Sequence, residues 1–317
     1  MKSVSIEMKS VSIAILGSGF AADFYMQGLR DVNGQQVALN YSRSLAHARR
    51  FAERWGVPES TVSLAKAIAR NDIDLFVIAL PNEAHLPVSL ALSQARRNQV
   101  CTKPLARNRA EARQMLRAAV KSRALHGYAE TEVFAPAVVK ARETIERGGV
   151  GRVIWVRSRE SHSGPHRAHF WDIAQTGGGA MNDLAPHCIA AARYFFGKED
   201  PVVEVMAWTG TLVHGARTKG EDNALLAMKM SGGGFGSAVD LTATADLVDA
   251  GDGNEHRERE FIHRFRLFIS ERERIRAAAR AGVAASTTAR RAPPYSHQPK
   301  SPAHRLASRS KPAREMR

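Results

Sequence analysis

The chain has 317 residues, 44% hydrophobic and 24% charged, the makeup of a globular protein long enough for two domains. Its longest apolar runs, such as residues 75–80, fall far short of the roughly 20 needed to cross a bilayer. No cationic start leads into a sustained apolar stretch with a cleavage site, so neither a membrane nor a secretory class is expected and the cytoplasm is the default.

Two cysteines, Cys101 and Cys188, are too few for a disulfide framework or a cysteine-built metal cluster; each lies in an apolar stretch and reads as a core residue. The net charge of +15 is unevenly spread. Residues 254–317 hold 16 Lys+Arg against 6 Asp+Glu, leaving 30 against 25 for residues 1–253. The body is only mildly basic, and without a helix-turn-helix, zinc finger or aromatic platform the arginines offer at most non-specific attraction to nucleic acid.

In chain order, the opening repeats itself: Met1-Lys-Ser-Val-Ser-Ile6 recurs as Met8-Lys-Ser-Val-Ser-Ile13. Only the second copy runs into an apolar strand, so residues 1–7 read as an extension. From residue 8 to 127, strand-like runs at 11–16, 36–41, 75–80 and 99–102 alternate with helical stretches at 45–55, 85–97 and 110–125. That alternation predicts an α/β Rossmann domain, parallel strands joined by crossover helices. Asn108 and Glu111 give the last helix a start resembling a capping box. Between 128 and 253 the order changes to a helix at 135–147, a strand at 152–159, a polar aromatic loop, a helix at 179–196 and strands near 202–211, 224–230 and 236–244. This predicts an α+β domain with a mostly antiparallel sheet. Residues 254–317 form an atypical basic tail without convincing apolar period from about 281, where disorder is expected.

The turn Gly17-Ser18-Gly19-Phe20-Ala21-Ala22 follows the first strand and opens a helix, the setting a dinucleotide fingerprint needs. Gly17 permits the tight turn, Gly19 lets the backbone approach a diphosphate, and Ala22 keeps the helix near the strand. The helix N-terminus offers its N–H groups to phosphate charge. NAD-preferring domains usually end the second strand with a carboxylate for the ribose hydroxyl. Here Ser42 and Arg43 stand there instead, and the guanidinium suits a 2′-phosphate, so NADP(H) is favoured over NAD(H).

Beyond this turn the chain, over about residues 11–244, resembles the Gfo/Idh/MocA family of glucose-fructose oxidoreductase and inositol dehydrogenase-like proteins. After Leu80, Pro81-Asn82-Glu-Ala-His85 resembles a family cofactor motif, and Thr102-Lys103-Pro104 falls at the family's Glu-Lys-Pro signature. Gly127-Tyr-Ala-Glu130 and Phe134-Ala-Pro136 look like its entry into the second domain. Gly177-Gly-Gly-Ala-Met-Asn-Asp183-Leu-Ala-Pro-His187 matches its aspartate and histidine signature. The resemblance implies an NAD(P)-dependent oxidoreductase acting on a sugar, inositol or related polyol. Leu80, Pro81, Asn82, His85, Thr102 and Lys103 are then cofactor residues, and Lys103 reaches both nicotinamide and the reacting oxygen. Thr102 departs from the family's glutamate, which helps hold the nicotinamide ribose.

On the predicted helix, Asp183 and His187 lie four apart and share one face. His187 is the expected proton acceptor for a substrate hydroxyl, Asp183 a hydroxyl holder or imidazole orienter, and Lys103 the stabiliser of alkoxide charge. The loop before that helix supplies His162 and Trp171 for packing on a sugar ring and Asp172 as a hydroxyl acceptor. Its histidines sit in a Gly/Pro loop with no helix to align them, so no metal is expected. The alternative is a dinucleotide- or sugar-binding regulatory protein without turnover, or an inactive member. The tail resembles nothing in the family, which suggests an incomplete second sheet and an out-of-frame terminus. Family members pair such sheets, so the resemblance implies a homo-oligomer through the second-domain sheet.

Overall fold

The computed structural model of the chain describes residues 10–162, 164–165 and 167–242. The expected N-terminal extension and basic tail lie outside these described residues. The first half opens with β1 (Val11–Leu16), α1 (Phe20–Leu29), β2 (Gln35–Tyr41), α2 (Leu45–Trp55), β3 (Glu59–Thr61) and α3 (Leu64–Ala69). It continues with β4 (Leu75–Ile78), α4 (Asn82–Gln94), β5 (Gln99–Thr102), α5 (Arg109–Ser122) and β6 (His126–Ala129). All neighbouring strands are parallel, in the order β3-β2-β1-β4-β5-β6, the doubly wound arrangement whose direction reverses between β1 and β4.

The sheet is buried on both faces because its strands are apolar on both. Ile13, Ile15, Leu75 and Val77 pack under Tyr25 and Leu29 of α1, while Leu16, Phe76 and Ile78 pack against Leu92 of α4 and Met115 of α5. Each fully buried Leu or Ile contributes roughly 1.5–3 kcal/mol relative to exposure. Helix ends obey local chemistry. The Ser44 side chain caps α2 by accepting the His47 N–H, and Gly56, left-handed at φ 65°, ends it. Asn108 accepts the Glu111 N–H at 3.0 Å as expected, but the Glu111 carboxylate turns to the backbone N–H and guanidinium of Arg107 instead of closing a capping box.

The second half comprises α6 (Pro136–Glu146), β7 (Trp155–His162), α7 (Ile173–Thr176), α8 (Ala180–Asp183), α9 (Ala185–Phe196), β8 (Val202–Gly210), β9 (Asn223–Met230) and β10 (Phe235–Thr242). Its sheet, ordered β7-β10-β9-β8, is mixed: β8/β9 and β9/β10 are antiparallel and β7/β10 is parallel. Alternation on β9 sends Leu226 and Met228 inward against Cys188 and Ala192 of α9, and leaves Leu225 exposed. Trp155, Met206, Trp208 and Phe235 are likewise more than half exposed.

The predicted element order needed correction. The short β3, α3 and β6 carried too little periodicity to be read from the sequence. The helix predicted over 179–196 is two helices that break at Leu184. Pro186 has no N–H to continue a preceding turn, so it sits in the first turn of a new helix instead.

Candidate active site

At the C-terminal end of β1, Gly17 has φ +132°, and a Cβ there would overlap the Ala79 carbonyl at the end of β4, so glycine is required for strand packing as well as for the turn. Gly19 is extended, and a Cβ on it would meet nothing within 4 Å. The first turn of α1 has no side-chain cap. Open space beside an uncapped helix N-terminus is a cradle that the diphosphate of a dinucleotide fits. Asn40, fully buried on β2, holds the turn by donating to the Ile15 and Gly17 carbonyls at 3.1 and 2.7 Å. Ala22 is buried against the strand, whereas Phe20 is exposed.

Ser42 and Arg43 come directly after β2. The two hydroxyls of Ser18 and Ser42 lie 2.9 Å apart. Arg43 is exposed and meets Glu83 of α4 at 3.5 Å. The sequence gives Arg43 no carboxylate neighbour, because Glu83 is distant in the chain. His85 also departs from its expected role as a cofactor contact. It is fully buried, with Nδ1 2.9 Å from the Pro104 carbonyl and Nε2 2.8 Å from that of Leu80. Burial pushes its imidazole pKa down. With no surface to offer, it fastens the turn after β4 to the turn after β5. Thr102, also buried, lies 3.5 Å from its Nε2 through the hydroxyl.

Lys103, just past β5, crosses to the second half of the molecule. Its ammonium donates to the Asp183 carboxylate and to the Asp183 carbonyl, both at 2.7 Å. The other carboxylate oxygen of Asp183 lies 3.5 Å from Nε2 of His162, at the end of β7. Burial by itself would raise the Asp183 pKa, but the Lys103 ammonium and His162 outweigh it and hold the carboxyl well below the usual range. Asn82 adds a second link between the halves, donating to the Thr176 carbonyl at 3.0 Å, with Pro81 capping its helix. A pocket beside these links is lined by Asn82, Trp171, Asn182, Asp183, Thr218 and Asp222.

His187 lies in the first turn of α9, beyond the break at Leu184, so the single helix on which the spacing placed it with Asp183 is interrupted. Nor does Asp183 orient its ring. Nδ1 of His187 is 2.5 Å from Glu130, a buried carboxylate just past β6. The aromatic loop differs from expectation as well. Asp172 is the N-cap of α7: one oxygen accepts the Ala174 N–H at 2.9 Å and the other the Gln175 side chain at 2.7 Å. Burial works against, and these bonds for, its ionised form, and its pKa is lowered chiefly by the Gln175 bond. The Trp171 ring carries the Arg217 guanidinium at 4.2 Å over one face and His214 edge-on at 4.8 Å.

Glu130, Glu83 and Asn40 were therefore missed as contributors. Glu130 had one available signal: an acidic residue directly before a turn into a helix, able to accept N–H groups two and three positions on. Glu221, which accepts the Gly179 and Met181 N–H groups and so seats α8, carried none. Among the described residues no group of three or more His, Cys, Asp and Glu could hold a metal ion, and no helix is long and apolar enough to cross a membrane.

Comparison with known proteins agrees with this architecture. Residues 11–128 match the family model described as "Oxidoreductase family, NAD-binding Rossmann fold", and residues 138–247 match the GFO/IDH/MocA C-terminal domain. The chain belongs to the Gfo/Idh/MocA oxidoreductase family, and its first domain is the family's NAD-binding Rossmann fold. It is 27% identical over 269 residues to levoglucosan dehydrogenase of Pseudarthrobacter phenanthrenivorans, covering 75% of this chain and 69% of that one. It is 32% identical over 168 residues to trans-1,2-dihydrobenzene-1,2-diol dehydrogenase of Danio rerio, covering 52% of this chain and 49% of the relative. Among solved structures, GenD2 from gentamicin A biosynthesis in complex with NAD superposes with a TM-score of 0.69 at 27% identity, over 74% of this chain and 67% of that one. The chain thus spans about two thirds of some relatives and about half of others.

Proposed function

We propose that the protein transfers a hydride between a nicotinamide dinucleotide and a hydroxyl- or carbonyl-bearing carbon of a sugar, inositol or related polyol. The observation that carries this reading is the 2.7 Å bond from Lys103, at the end of a Rossmann strand, to Asp183 of the second domain. It fixes an ammonium against Asp183, a residue of the pocket wall. The residues from Gly17 to Ala22 would hold the diphosphate, Ser42 and Arg43 the adenine ribose, and Leu80, Pro81, Asn82, Thr102 and Lys103 the nicotinamide half. The bound dinucleotide supplies or accepts the hydride. Lys103 stabilises negative charge on the reacting oxygen. His187 Nε2 takes the substrate hydroxyl proton in oxidation and returns it in reduction. Asp183 holds Lys103 in place, and His162 and Trp171 border the substrate. The relatives named for levoglucosan and for 1,5-anhydro-D-fructose support a polyhydroxylated ring as substrate.

The exposed Arg43 supports NADP(H) as the preferred cofactor, and Glu83, 3.5 Å away, competes with a 2′-phosphate for it. The expected result for Glu83→Gln is a gain of about fivefold in NADPH affinity with NADH affinity unchanged, a size typical of one exposed ion pair.

The test of the main reading is titration of the full chain with NADH and NADPH, then a screen of sugars, inositols and diols followed by nicotinamide absorbance. Turnover at saturating dinucleotide that falls by roughly 10²–10⁴ in Lys103→Met supports it. Binding of dinucleotide with no turnover across the screen would favour a regulatory binding protein, the reading to which Thr102 in place of the family's glutamate also points. Binding of neither nucleotide defeats both.

A further inference from the structure

The proposed role of His187 requires a lone pair on Nε2, and an imidazole offers that only in the tautomer with its proton on Nδ1. Nothing about a histidine ring selects that tautomer; a neighbour must. In this fold the neighbour is Glu130, which comes from the end of β6 while His187 comes from α9. Nδ1 lies 2.5 Å from Glu130 Oε1. A carboxylate only accepts hydrogen bonds, so Nδ1 must be the donor.

The carboxylate is itself fixed. Glu130 is 4% exposed, and its oxygens accept the backbone N–H of Glu132 at 3.0 and 3.1 Å and that of Val133 at 3.4 Å. Three donors around one buried carboxylate leave it little freedom to turn. We propose that Glu130 is a positioning residue that locks His187 with its proton on Nδ1, so that Nε2 always faces substrate chemistry as the acceptor. During oxidation the substrate O–H bond breaks and the proton joins Nε2. The imidazolium then lies against the Glu130 carboxylate, which stabilises it; reduction runs the same transfer backwards. This rests on the reading of His187 given above.

Glu130→Gln makes the idea testable, because the amide has one acceptor and one donor end. With its oxygen at the Oε2 position the amide accepts from both the Glu132 and Val133 N–H groups, whereas at the Oε1 position it accepts from the Glu132 N–H alone, so the Oε2 position is the favoured one. The NH₂ then falls at the Oε1 position and donates to Nδ1, which drives the ring proton to Nε2. The side chain keeps its size and the backbone bonds at the Oε2 position, giving up only the Glu132 bond at Oε1, yet the histidine is reversed.

The measurement is long-range ¹H–¹⁵N correlation of the imidazoles in full-length protein, with the His187 signals assigned by their loss in His187→Asn. The expected spectrum has a pyrrole-type Nδ1 and a pyridine-type Nε2 in the unsubstituted protein, and the reverse in Glu130→Gln. Single-turnover hydride transfer in Glu130→Gln should fall by at least about a hundredfold, since a histidine in the wrong tautomer costs roughly 10⁴ in a Ser-His-Asp triad, with NADH affinity unchanged. A pyridine-type Nδ1 in the unsubstituted protein overturns the proposal even if the variant fails to fold, as does a folded variant with the tautomer unchanged. The tautomer is read without turnover. If no polyol is oxidised but Nδ1 carries the proton, the functional reading fails while the Glu130 contact stands.

Discussion

Lys103 owes its usefulness to being held. An exposed lysine spreads its ammonium over many rotamers, whereas here two bonds from one residue, the carboxylate and carbonyl of Asp183, fix it. The pairing has a pH signature. Asp183 has a depressed pKa in the folded protein, against about 4 in an unfolded chain. Its contribution to stability is therefore fully present above pH 4 and is lost as pH falls below that toward the lowered folded value. Thermal melts of the protein and of Asp183→Asn should differ by a constant interval from pH 7 to 4, and the interval should shrink only at lower pH. A difference that shrinks between pH 7 and 5, above the carboxylate range, would remove the Asp183 carboxylate from this role.

Among the elements, the strand-turn-helix unit of β1 and α1 separates two jobs that a glycine motif usually merges. Gly17 is demanded by the packing of the turn on Ala79 and by its positive φ, while Gly19 has ordinary extended backbone and empty space beside it. Gly17→Ala should cost on the order of 3 kcal/mol of stability, read from the urea midpoint. Gly19→Ala should leave that midpoint in place and weaken NADH binding, read by fluorescence titration. If both substitutions destabilise equally, the space beside Gly19 has no bearing on ligand. The same level explains the corrected helix: Pro186 divides what spacing alone joined, which frees His187 to meet Glu130 and Asp183 to meet Lys103.

Across the whole molecule, the second sheet covers one face with α9 and turns Trp155, Met206, Trp208, Leu225 and Phe235 to solvent on the other. Exposed apolar side chains opposite one another on paired strands, such as Trp208 beside Leu225, favour burial against another apolar surface. The expected homo-oligomer would use this face. Sedimentation velocity should show association that Trp208→Glu reduces to monomer without lowering the melting temperature. A monomer before substitution would remove the sheet from that role.

The order of elements and the cofactor turn were legible in the sequence because they depend on local chemistry. Apolar period marks most strands and helices, Asn108 caps the helix it precedes, and Gly17 announces the turn. Lys103, Asp183 and His187 could be singled out, but not their partners. That His85 would be buried under two carbonyls, that Arg43 would meet Glu83, and that His187 would find Glu130 instead of Asp183 depended on residues 40 to 57 apart or on the turn between two strands. No local propensity encodes such meetings. They arise from where the crossover connections and the break at Leu184 carry each backbone, and only the folded chain supplies that information.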